Sequence, residues 1–312
     1  MDNLLLARDK VRTLYGRYDM IIDPVVRFVL MLFSVLVINR KIGYMPALKD
    51  PFITVILSLF AALVPYRVLN WILAGVILVH IYSLSFEMAV IVGLFLMAVA
   101  ILYYGFRPGD SYILFLTPLL FYCRIPYIIP LLAGLIGTPV SAVPAVCGTV
   151  LYYMLRYTAT VSATMTELNK LQITDKFITL IKGMLIDRNM AVMAAVVAVG
   201  VTVVYIVRII PFNYSRYISV PSGAAAMMIV SAVGMRAFGA GGSVIYNILM
   251  ILVCMIIVSA INILLLPLDY RRVEITQFED DDYVYYVKAV PKYKPEGSGN
   301  TASGGKKRGN ES

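Results

Sequence analysis

Histidine is almost missing from this chain. His80 is the only one in 312 residues, which excludes any site built from several imidazoles. Charge is scarce too, at 14% of residues against about 25% in an ordinary soluble domain. The three cysteines, Cys123, Cys147 and Cys254, lie far apart in apolar runs without CxxC spacing. That pattern excludes a disulfide framework and reads as small buried hydrophobes. HExxH, GxSxG and GxxxxGK[ST] are all absent. No catalytic residue, cofactor or metal ligand is therefore assigned, and the chain is not expected to be an enzyme.

Hydrophobic residues make up 60% of the sequence. A single soluble core of this size cannot hide that much apolar surface. The apolar residues come in long runs, at 68–86, 88–104, 192–206 and 244–266. A bilayer core of about 30 Å needs about 20 helical residues. The runs lack the period-2 alternation of barrel strands, so helices are expected. Net charge is +9, but the basic residues are scattered among the connections, which excludes a nucleic-acid surface. Basic residues beside spans instead follow the positive-inside bias.

The expected fold is an all-α polytopic membrane protein. It has about eight transmembrane helices with broken or partial segments, plus a small C-terminal β-hairpin. Residues 1–23 read as an amphipathic surface helix, with Leu4, Ala7, Val11, Leu14, Tyr15 and Tyr18 on one face. No cleavable signal peptide is evident, so the first span is expected to stay as an anchor. Residues 24–157 form a first transmembrane half. Within it, residues 111–137 carry Pro118, Pro126 and Pro130 and are expected to be broken. Residues 158–189 leave the membrane as an amphipathic linker. Thr174 is expected to cap its helix, and Phe177, Leu180, Ile181, Met184 and Leu185 to form the apolar face opposite Gly183. Residues 190–267 form the second half, with a Gly/Ala-rich partial segment at 222–242.

The tail differs in kind. Residues 268–294 hold two runs rich in β-branched and aromatic residues around Glu279-Asp280-Asp281-Asp282, expected as a cytoplasmic hairpin. Residues 295–312 are expected to be disordered.

Ionisable residues near spans are the candidates for function: His80, Glu87, Arg124, Arg208 and Arg236. Glu87, Arg208 and Arg236 read as interface residues, and Arg27 as one that snorkels. Arg124, inside the broken unit, is the first candidate for substrate binding. His80 is the second, placed two turns from Glu87 as if on one helix. Gly109-Asp110 and Tyr18-Asp19 are two-residue likenesses to intramembrane aspartyl proteases and carry no assignment. Asp23-Pro24-Val25-Val26-Arg27 is similar to the Asp-Pro-Arg-x-Lys opening of the transmembrane subunits of energy-coupling factor transporters. The paired Ala-Arg-Gly motifs of those subunits are absent, so no membership is assigned.

Two functions follow. The first is a transporter or permease-like component that moves a small solute. The alternative is a non-catalytic scaffold that recruits a cytoplasmic protein through Tyr283, Tyr285 and Tyr286, or through residues 174–187. The other partner is the lipid bilayer, in the plasma membrane. Counting Lys and Arg places residues 1–23, residues 156–189 and the tail all in the cytoplasm. A cysteine at Ser298 is accordingly expected to escape a membrane-impermeant thiol reagent applied to intact cells. Labelling there would put the tail outside.

Overall fold

The computed structural model describes residues 2–104, 112–169, 172–211, 214–265, 274–279 and 284–289, with backbone alone for residues 2–20, 66–67, 102–104, 166–167, 264–265 and the strands. Among these residues the first unit, Met1–Leu265, is helical. Its helices are α1 (Asp2–Ile42), α2 (Pro51–Leu63), α3 (Tyr66–Leu84), α4 (Phe86–Tyr104), α5 (Tyr112–Tyr122) and α6 (Ile128–Ile136). Then come α7 (Ala142–Val161), the short α8 (Met165–Leu168), α9 (Ile173–Leu185), α10 (Arg188–Ile209), α11 (Ser215–Ala237) and α12 (Val244–Leu265). Four helices are long and apolar enough to cross a membrane: Ile21–Ile42 of α1, then α10, α11 and residues Val244–Ile263 of α12. α2, α5 and the apolar stretches of α3 and α4 are shorter. The structure thus supports several spans, and the count of eight is not established. Large apolar side chains point outward on α2, α4, α11 and α12, among them Leu63, Leu94, Ile229 and Ile256. Patches of this kind are rare on soluble proteins and suit contact with lipid.

Three expectations change. Residues 1–23 are not a separate surface helix, because α1 runs unbroken through Pro24. Residues 222–242 are not a partial segment either. α11 has 23 residues, starts seven residues earlier and carries Pro221 in its interior. In the sequence Pro221 has the look of a boundary, which hides the first turns of this helix. The linker helix has Gln172 rather than Thr174 at its N-cap position, without a side-chain cap bond, and it buries Lys176, Leu180 and Met184. Gly183 faces inward, because a Cβ there would collide with the Tyr157 ring.

Contacts at helix ends sort the bundle into two faces. On one, Asn39 reaches His80 and Thr54, and Lys176 of α9 reaches Glu87. Arg188 reaches the Phe238 carbonyl on that same face. On the other, Arg27 donates to the Val64 carbonyl and Arg208 to the Gly137 carbonyl at 3.0 Å. We name these the linker face and the far face. Arg27 is therefore turned into the bundle rather than snorkelling: it bonds Val64 and pairs with Asp23 one turn earlier.

The broken unit 111–137 does not cross. α5 rises from the far face, the chain turns at residues 123–127, and α6 returns to Arg208 on the far face. Counting this unit as one crossing puts the linker on the wrong face. Counting α11 as partial makes a second error of parity, and the two cancel. The start of α1 and the end of α12 share the far face, and residues 162–169 and 172–187 lie opposite. Arg40, Lys41 and Lys49 join the linker, so basic residues occur in quantity on both faces and the charge rule no longer orients the chain.

Glycine sets the closest helix contacts. A Cβ on Gly134 would lie 2.6 Å from Val204, one on Gly200 2.6 Å from Met227, and one on Gly148 2.6 Å from the Leu114 carbonyl. Small residues let backbones approach where apolar burial from water is no longer the driving force.

The second unit, Leu266–Ser312, contains strands β1 (Glu274–Glu279) and β2 (Val284–Ala289), paired antiparallel with Phe278 opposite Tyr285. The connection at 280–283, with Tyr283, lies outside the described residues, as do Gly109-Asp110 and 290–312.

The two-face arrangement has a direct check. Cysteines replacing exposed Thr174 and Val140, in a chain otherwise free of cysteine, are expected to react from opposite sides of sealed vesicles. Reaction from one side only would overturn the assignment of the linker.

Candidate functional site

Arg124 sits at the tip of the α5–α6 unit in an unusual backbone state. Its φ is +64°, the left-handed region. The Ile125 N–H donates to the Leu120 carbonyl at 3.0 Å and the Arg124 N–H to the Phe121 carbonyl at 3.1 Å. This pair of bonds is a Schellman closure, and Arg124 holds the position that usually belongs to glycine. An arginine there costs about 1 kcal/mol or more relative to glycine. Its side chain is exposed and forms no ion pair among the described residues. Pro126 follows and α6 begins at Ile128, with the thiol of buried Cys254 against the Tyr127 and Ile128 backbone N–H groups.

The tip forms one wall of a cavity of about 650 Å³ at the linker face. α7 contributes Tyr152, Tyr153 and Arg156; α10 contributes Asn189, Val192 and Met193; α12 contributes Tyr246, Asn247 and Met250. The turn Ala240-Gly241-Gly242-Ser243 closes the rim. Aromatic rings stiffen one side: Phe121 and Tyr152 lie 4.7 Å apart between centroids, and Tyr152 and Tyr153 5.3 Å apart. The Tyr127 hydroxyl donates to the Met193 sulfur at 3.7 Å. The lining contains two arginines and no carboxylate. Asp187, near the rim, accepts from the Asn189 N–H at 2.8 Å and so caps α10.

His80 has a different position. Nε2 lies 2.8 Å from the Asn39 side-chain oxygen, and Nδ1 accepts from the Met45 N–H at 3.3 Å. Asn39 in turn donates to the Leu48 carbonyl at 2.8 Å and to Thr54 at 3.2 Å. The ring is buried, and both nitrogens are engaged in tying the α1–α2 connection to α3. Contrary to expectation, His80 and Glu87 do not share one helix, because a break at Ser85 separates them.

Glu87 lies at the linker face, ahead of the apolar run of α4. Its carboxylate accepts from Lys176 Nζ at 2.8 Å and from the Ser85 hydroxyl at 2.5 Å. Lys176 also donates to Asn169 at 2.8 Å. These bonds dock α9 on the α3–α4 turn. Arg208 donates to the Leu135 and Gly137 carbonyls, closing the last turn of α6, and its guanidinium lies 5.2 Å from the Tyr205 ring centre. Arg236 is exposed near the end of α11.

Sequence reasoning singles out Arg124 but not Arg156, the Tyr152–Tyr153 pair, Asn189 or Asn247. The one signal in the letters is Gly239-Ala240-Gly241-Gly242, whose composition suggests only the end of a segment. No family model, curated protein or solved structure matches this chain.

The Lys176 and Ser85 bonds lower the Glu87 pKa from 4.5 to about 2. The carboxylate thus favours the folded state above pH 4.5, and its contribution fades as pH falls from 4.5 towards 2. The melting temperature in detergent is expected to drop over that window for the wild type and to drop less for Glu87→Gln. Equal pH profiles would show that the pair does not hold α9.

Proposed function

We propose that this chain is a transporter or permease-like component that holds a small solute in the Arg124 cavity. The single observation that supports this is the tip of the α5–α6 unit. A strained arginine faces a cavity of ligand size, at the turn between two short apolar helices that start and end on one face. Transporters repeatedly build solute sites at such interrupted helices, and ligand cavities run roughly 300–1,000 Å³. Strain of this kind persists where surrounding structure holds it and often marks a functional position. His80 has no part in this reading. The reading includes no catalytic step. It places the chain in the plasma membrane with both termini in the cytoplasm, so that the cavity opens outward.

A scaffold role remains the second reading, favoured by the β1–β2 pair. A two-stranded sheet has an outer edge on each strand, and such an edge can accept a strand from a partner. Tyr283, Tyr285 and Tyr286 are its recognition residues. Deletion of residues 274–312 separates the two. Loss of a co-purifying protein favours the scaffold, and retained solute flux favours transport.

Transport needs the cavity to open alternately to both sides. A cysteine replacing Met193, in a chain otherwise free of cysteine, is expected to react rapidly from the linker face. It is expected to react more slowly, yet measurably, from the far face. Strictly one-sided reaction over hours would remove the transport reading.

A further inference from the structure

We infer that the Arg124 cavity takes a phosphoryl-bearing ligand, its phosphate held between Arg124 and Arg156 and its apolar or aromatic body against the tyrosine and methionine wall. This assignment rests on the reading of the cavity as a solute site and adds the class of solute.

Charge carries the first part of the argument. Two guanidinium groups line the cavity, and the charges of both act on the Tyr152 hydroxyl. No lining residue is acidic. Asp187 is engaged in capping α10, and Arg188 beside the rim is engaged with the Phe238 carbonyl at 3.4 Å. Neither Arg124 nor Arg156 has an ion-pair partner among the described residues. Both arginines are exposed and line the same cavity, so an anion in it can draw on both positive charges.

Geometry separates phosphoryl from carboxylate. One guanidinium fork matches the two oxygens of a carboxylate and neutralises its single charge. A phosphoryl group has three terminal oxygens and close to two negative charges, so it can bridge two forks and still accept further bonds. At the rim, Gly241 and Gly242 border the cavity without side chains, with φ +129° at Gly242. The 22-residue α12 starts just after it, with its positive end at the rim. Tyr152, Tyr153, Met193 and Met250 leave an apolar and aromatic surface for the remainder of the ligand.

The test uses the full chain in phosphatidylcholine nanodiscs, with phenyl phosphate as the soluble probe and calorimetric titration as the readout. Saturable binding is expected, with benzoate clearly weaker. Arg124→Gly and Arg156→Gln are each expected to weaken it roughly 10-fold or more. Lys182→Gln, on the exposed side of α9, is expected to leave it unchanged. Arg124→Gly suits the left-handed turn, so an unliganded melting temperature at or above the wild type shows that the fold is kept. In a second arm, nanodiscs doped with phosphatidic acid are compared by melting temperature. Stabilisation that depends on Arg124 there, without phenyl phosphate binding, identifies a lipid headgroup as the source of the phosphate. Phenyl phosphate binding in undoped discs identifies a soluble ester. Silence in both arms overturns the assignment, as does equal binding of benzoate or indifference to both arginine variants. If the Met193 cysteine still reacts from both faces in that case, the transport reading survives without its phosphoryl ligand. Phosphoryl binding together with one-sided reaction keeps the ligand and removes transport.

Discussion

Backbone donors and acceptors at membrane depth find no water, so a chain can break a helix there only where protein groups replace the lost hydrogen bonds. The α5–α6 unit meets this condition at both of its ends. Its tip closes on itself through the Ile125–Leu120 and Arg124–Phe121 bonds. Its return end is closed by Arg208, which donates to the carbonyls of Leu135 and Gly137. Without these groups the turn at residues 123–127 and the end of α6 would leave backbone polar atoms without partners. With them, the chain can place an arginine at the wall of a cavity.

The rest of the bundle serves that placement. α10 passes beside α6, α7 and α11, and Gly134, Gly200 and Gly223 leave room for the Val204 and Met227 side chains where it meets α6 and α11. Its first two turns line the cavity with Asn189 and Met193, while its last turn supplies Arg208. One helix therefore links the cavity wall to the support beneath the broken unit. At the linker face, two polar clusters fix the loops. The cluster of Asn39, Thr54 and His80 holds the α1–α2 connection, and that of Glu87, Lys176 and Asn169 holds α9.

Much of the helix pattern is legible because lipid makes the rule simple: long apolar runs become helices. The runs at 68–86 and 88–104 differ from α3 and α4 by about two residues at their ends. The break between 111 and 137 is legible in Pro126 and Pro130. Its return to the far face is not, because proline shows that a helix stops and says nothing about the direction in which the chain continues. Pro221 shows the converse: it sits inside α11, where packing on α10 sustains the helix despite the lost donor. Residue pattern also cannot tell which face of α9 is buried, since that depends on Tyr157 leaving room only for Gly183.

Arg124 is visible in the sequence as a charge inside an apolar stretch, and that alone makes it a candidate. Its left-handed backbone, its Schellman closure and its neighbours Arg156, Asn189 and Asn247 are not visible, since they lie up to 123 positions away in the chain. Composition and run length determined the class of protein, because no arrangement of the chain in a single core hides this much apolar surface from water. The tertiary structure decided which face each loop occupies and which residues share the cavity. Both depend on the direction of each helix relative to its neighbours, and that direction is set by contacts between residues that sequence proximity does not connect.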